Sequence, residues 1–175
     1  MDTNIILGYD PGTLREKVDL AAAGRRLDEL GELRSLSALN ERVSLLRLVG
    51  RLDEAWDAAN EALRQSRFAG DREQLALARI RRAVVQQHMG KLEPAIVELS
   101  GVVNEAHAHD WHSVEAYALQ QRGTVRFDQK EFPLALVDFR AALDLRLHIE
   151  SSPDQVESSM IAIAVTESFL DGGAA

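Results

Sequence analysis

Four side chains of the kind that hold metal ions, His107, His109, Asp110 and His112, lie close together in the chain. Imidazole nitrogens with a carboxylate suit zinc or nickel, so a metal-dependent enzyme built on His107, His109 and His112 is one reading. The spacing argues against it, because it straddles the end of one helical segment and the start of the next. Histidines near a helix C-terminus are also favoured by the dipole without any metal. The chain has no cysteine, which excludes disulfides, thiolate ligands and a cysteine nucleophile. It contains no phosphate-binding glycine loop, no HExxH and no Ser-His-Asp order. The expectation is a protein that is not an enzyme and uses neither metal nor cofactor.

A second chemical pattern is the recurrence of Arg42, Arg82 and Arg122 at a step of 40. A line of guanidinium groups can hold an acidic partner by paired hydrogen bonds. The competing reading has each arginine bridging to an acid of an adjacent helix. The same step relates Ala38, Ala78 and Ala118, then Leu45, Val85 and Val125, then Ala55, Ala95 and Ala135, and finally Leu63, Val103 and Leu143. Agreement in register over three copies identifies an internal repeat, and the repeat must position whatever chemistry the chain performs.

Each copy breaks at Gly50, Gly90 or Lys130, and an apolar residue follows at Leu52, Leu92 or Phe132. Forty residues shared by two helices and two short turns leave about five turns of helix on either side of the break. The predicted helices are 32–49 and 52–68 in a first repeat spanning 32–69, 71–89 and 92–109 in a second spanning 71–109, and 112–129 and 132–149 in a third spanning 112–149. Asp71 and Asp110 are placed to cap the second and third openings. Pro94 and Pro133 fall in first turns, where a missing N–H is tolerated. Before the array, residues 1–11 read as a tail and 12–30 as a capping helix with Thr13 as its cap. After it, 153–170 reads as the first helix of a fourth copy, closed by Gly172 and Gly173. The whole chain, 1–175, is expected to form a single all-α domain of about eight antiparallel helices.

Composition agrees: 46% hydrophobic, only 5% aromatic and 27% charged residues suit a helical protein with a packed core. A net charge of −8 repels nucleic-acid backbones, so no nucleic-acid partner is expected. No stretch approaches the roughly 20 apolar residues of a membrane span, and the start lacks a basic, apolar leader. The chain is expected to be cytoplasmic, with no membrane partner.

The segments 45–62, 85–103 and 122–143, the last reading RGTVRFDQKEFPLALVDFRAAL, resemble tetratricopeptide repeats. The step of 40 is similar to the longer-helix variety found in kinesin light chains and in bacterial regulators of the Rap type. The resemblance implies a right-handed α-α superhelix, a solenoid whose first helices line a concave groove for a peptide or partner protein, as in adaptors, chaperones and regulators. Carried onto this chain, it puts Ser37, Asn40, Ser44 and Arg47 in the groove from the first copy. The second copy supplies Leu77, Ile80, Val84, Gln87 and His88, and the third supplies Tyr117, Gln120, Thr124, Phe127 and Asp128. The alternative for Leu77, Ile80 and Val84 is burial in the core. A rival function is self-association, a homodimer through the apolar residues Met160, Ile161, Val165 and Phe169 of the last helix. The run from Ile5 to Thr13 also resembles the first strand of RNase H-like nucleases, in which the counterpart of Asp10 holds magnesium. No later segment reads as a strand, so a turn is the expectation there.

Overall fold

The computed structural model describes residues 5–172; the expectations for residues 1–4 and for Gly173 lie outside them. Two short strands, β1 (Ile6–Tyr9) and β2 (Glu16–Val18), precede helices α1 (Leu20–Leu30), α2 (Leu36–Leu48), α3 (Leu52–Ala69) and α4 (Arg72–His88). The remaining helices are α5 (Leu92–Ala108), α6 (His112–Asp128), α7 (Phe132–His148) and α8 (Pro153–Gly172). The fold is an all-α helical repeat with one small hairpin of strands. The chain divides between Gly90 and Lys91 into two compact units. In a repeat, each helix touches only near neighbours in sequence, so contacts cluster locally.

In the first unit α1 packs on α2, α2 on α3 and α3 on α4, and α2 also reaches α4. In the second unit α5 packs on α6, α6 on α7 and α7 on α8, and α6 also reaches α8. Small residues make these approaches close: Ala55, Ala59, Ala95, Ala135 and Ala142 are all buried. The repeat step also fixes where the chain turns. Gly50 and Gly90 are left-handed, with φ of 78° and 76°, and Lys130 takes the same conformation at φ 62°. The turns between copies do likewise at Gly70, Asp110 and Glu150. A non-glycine residue in this region carries a steric penalty. Lys130→Gly is therefore expected to stabilise the protein by about 1 kcal/mol, read from the urea midpoint.

Asp71 caps α4 by accepting from the Gln74 backbone N–H. Asp110 does not cap α6; it is the left-handed turn residue, and Trp111 takes the cap position without a side-chain bond. Gly172 ends inside α8 rather than past it. The larger correction is at the start. The expected helix over 12–30 begins only at Leu20, with Asp19 rather than Thr13 as its cap. Residues 16–18 instead pair antiparallel with β1, through Ile6 opposite Val18 and Tyr9 opposite Glu16. The Asp10 carboxylate closes the connecting turn, accepting from the backbone N–H groups of Gly12 and Thr13 and from the Thr13 hydroxyl, each at 2.9 Å. This is an Asx turn, and it uses the aspartate that a magnesium site would have needed.

Candidate functional site

Ser37, Asn40, Ser44 and Arg47 follow one another at steps of three and four, so they share one face of α2. Gln74, Arg81 and His88 are seven apart and share one face of α4. The two stripes face a common open cleft of about 560 Å³, lined by Leu36, Ser37, Asn40, Glu41, Ser44, Gln74 and Arg81. Its lining is polar. Glu41 is engaged by Arg26, which donates through Nη2 at 2.9 Å, and that hydrogen bonding holds the Glu41 carboxyl below its usual range. Asn40 Oδ1 and Arg81 Nη1 are buried without any hydrogen-bond partner. An unmatched acceptor and an unmatched donor beside one cleft are costly to leave so, and an arriving polar ligand can relieve both once these side chains turn toward it.

Beyond the cleft, the last members of the two stripes meet a carboxylate from the hairpin. Arg47 donates to Glu16 through both terminal nitrogens, at 3.1 and 2.8 Å, and Arg47 Nη1 also lies 3.1 Å from His88 Nε2. Arginine only donates, so Nε2 of His88 is the acceptor. The proton therefore sits on Nδ1, which donates to the Val84 carbonyl at 3.0 Å. Burial, followed by the charges of Arg47 and Arg15, lowers the His88 pKa to about 4, against the opposing pull of the Val84 carbonyl and Glu16. Burial acts to raise Glu16, but the charge and hydrogen bonds of Arg47 outweigh it and hold the carboxyl low.

The direction of the pH dependence follows. The unfolded chain takes up a proton on His88 near pH 6.5, whereas the folded chain refuses it until about pH 4. Stability conferred by neutral His88 is thus complete above pH 6.5 and falls as the pH drops toward 4, by up to about 3 kcal/mol. Glu16, depressed in the folded state, adds to the loss on further acidification. Urea midpoints at pH 7 and pH 4.5 are expected to differ in the wild type and to differ less in His88→Gln.

The other predicted groove residues are placed differently. Leu77 is half-buried, and Ile80, Val84 and Gln87 are buried; for Ile80 and Val84 this is the core placement given above as the alternative. Removing two branched apolar side chains from water outweighs any preference of the repeat pattern for showing them. In the second unit Tyr117, Thr124 and Asp128 are half-buried, and the Thr124 hydroxyl donates back to the Gln120 carbonyl at 3.0 Å. Gln120 and Phe127 are buried beneath α8. Gln120 Oε1 accepts from Ser159 at 2.7 Å and from Arg146 at 3.2 Å, while Phe127 meets Phe169 edge-on with centroids 5.2 Å apart. The fourth-copy helix thus occupies the face these residues were expected to present.

The arginine line is absorbed internally. Arg42 bonds the Gly31 carbonyl, Arg82 lies over the Trp56 ring, and Arg122 chelates Asp138 at 2.9 and 2.7 Å. The histidines point to separate partners. His107 lies 2.9 Å from Glu115, His109 stacks on Trp111, and His112 meets His148 edge-on. Among the described residues no three His, Asp or Glu side chains converge on a metal position. Also among them, no helix is long and apolar enough to cross a membrane.

Glu16, Gln74 and Arg81 escaped the sequence reading. Gln74, Arg81 and His88 could have been found by following a seven-residue stripe along the first helix of the second copy instead of the apolar one.

No family model and no curated protein matches the chain. Among solved structures it is similar to BtubC (BKLC) from P. vanneervenii, with a TM-score of 0.63 and 19% identity. The match covers 86% of this chain but only 65% of that one. At this identity the likeness concerns the fold, a helical repeat.

Proposed function

We infer that the protein is a tetratricopeptide-type interaction module that binds a segment of a partner protein along the α2–α4 face. The observation that carries the reading is the cleft holding the unmatched polar atoms of Asn40 and Arg81. Preformed helices meet such a ligand without backbone ordering of their own, which favours binding. In this reading the activity is recognition rather than catalysis, the partner is a protein or peptide, and the setting is cytoplasmic. The test is capture of partners from the source cell by the full chain, against Arg81→Glu and Asn40→Leu with helicity checked by circular dichroism. Loss of the captured protein in both variants is expected, by tenfold or more in affinity. Equal capture by all three chains would overturn the reading.

A second reading is self-association through α8, favoured by Met160, which is 56% exposed, and by the exposed edge of Phe169. It requires a dimer in light scattering that Met160→Glu converts to monomer.

A further inference from the structure

The geometry points to the β1–β2 hairpin as an intramolecular occupant of the α2–α4 face, latched by Glu16 on Arg47, whose guanidinium also meets His88, and a partner spanning the whole face must lift it away. This rests on the proposed binding role of that face.

The hairpin stands outside the 40-residue step, and none of the three copies contains its like. Strands of four and three residues do not hold together alone in water. Their position is set by what they touch. Ile5 and Val18 rest against the cluster of Ala23, Leu30, Ala38 and Leu45, and Leu14 is buried. The remaining attachment is polar and lies on the candidate face itself. Ser37, Asn40 and Ser44 line the open cleft, and the next member of that stripe, Arg47, is taken by Glu16. Gln74 and Arg81 line it from α4, and the next member of that stripe, His88, is joined to the same guanidinium. The hairpin therefore closes one end of the surface whose other end is open.

The latch suits a reversible contact. Both of its charges are largely withdrawn from water, with side-chain exposures of 11% for Arg47 and 21% for Glu16, so the contact opens to a ligand that brings a replacement anion. A partner carboxylate can take over both Arg47 donors without stranding a buried charge. A tethered segment acts at an effective concentration on the order of millimolar, so weak or short ligands are refused while a ligand that also fills the cleft displaces it. The apparent affinity of the face is reduced by the fraction of chains in which the hairpin is down.

The experiment compares full-length wild type, Glu16→Gln and, as a control on the same strand, Lys17→Gln. Hydrogen exchange is followed by mass spectrometry in segments covering 5–18, 36–48 and 72–88, with a labelled peptide copying residues 10–19 as the probe in trans. Glu16→Gln is expected to raise exchange in 5–18 about tenfold, to leave both helices protected and to admit the probe, whereas Lys17→Gln does none of these. Unchanged exchange in 5–18 would overturn the latch. So would loss of protection in 5–18 and both helices together, because the hairpin would then belong to the core. Neither result bears on partner capture, so the binding role of the face stands or falls separately by the Arg81→Glu comparison.

Discussion

Phe139→Ala will lower the stability of the second unit by about 3–5 kcal/mol, and adding Gly123→Val will restore part of that loss. Phe139 is completely buried, and a Cβ placed on Gly123 would lie 2.6 Å from its ring. The ring therefore fills the space left by the missing side chain. In the first copy the equivalent residues are Val43 and Ala59, which share one cluster with the sizes reversed. The same volume is divided in two ways. Gly123→Val alone should overpack the contact and cost about 1–3 kcal/mol, despite the better helix propensity of a side chain over none. The double variant should show a coupling of at least about 1 kcal/mol in a urea-unfolding cycle. A double variant less stable than Phe139→Ala alone would refute the exchange of volumes.

Asp138→Ala is expected to cost a comparable amount, about 3–5 kcal/mol, because Asp138 is the shared acceptor for two cations. Its carboxylate is 1% exposed and receives Arg122 at 2.9 and 2.7 Å and Arg126 at 2.9 Å. Deleting it leaves both guanidinium groups, only 15% and 19% exposed, facing each other without an anion between them. Their remaining bonds, from Arg122 to Ser100 and from Arg126 to the Leu134 carbonyl, are both long at 3.4 Å and carry no charge. Replacing Arg122 and Arg126 by Leu in the same chain should recover much of the loss, since a buried ion network is often no better than apolar packing of similar volume. The check is the urea midpoint of the single and triple variants. A loss under about 1 kcal/mol for Asp138→Ala would show that the network is solvated and the carboxylate dispensable.

The helices of the three copies were readable because one period governs both packing and turning. From α3 to α7 the observed ends differ from the expected ones by no more than a residue. The left-handed hinges follow at positions 50, 90 and 130, and the turns between copies at 70, 110 and 150, whether or not the residue is glycine. Asp110 shows the limit of residue-by-residue reading. Aspartate in front of a helix suggests a cap, but a turn of this length needs a residue with positive φ there, and aspartate tolerates that better than most.

Local pattern was enough for the repeat and its alternation of two helices and two turns, because each copy carries its own apolar spacing and its own breaks. Tertiary contact decided the rest. Leu14 and Val18 are four apart and fit a helix, yet Val18 pairs with Ile6 of β1 while Leu14, at φ 56°, lies in the turn before β2. Ile80 and Gln120 sit at groove positions by repeat arithmetic, yet burial claims Ile80, and Ser159 of α8 claims Gln120. A helix's own period says which residues share a face; it is silent on which neighbour that face will meet, since that depends on contacts between residues far apart in the chain.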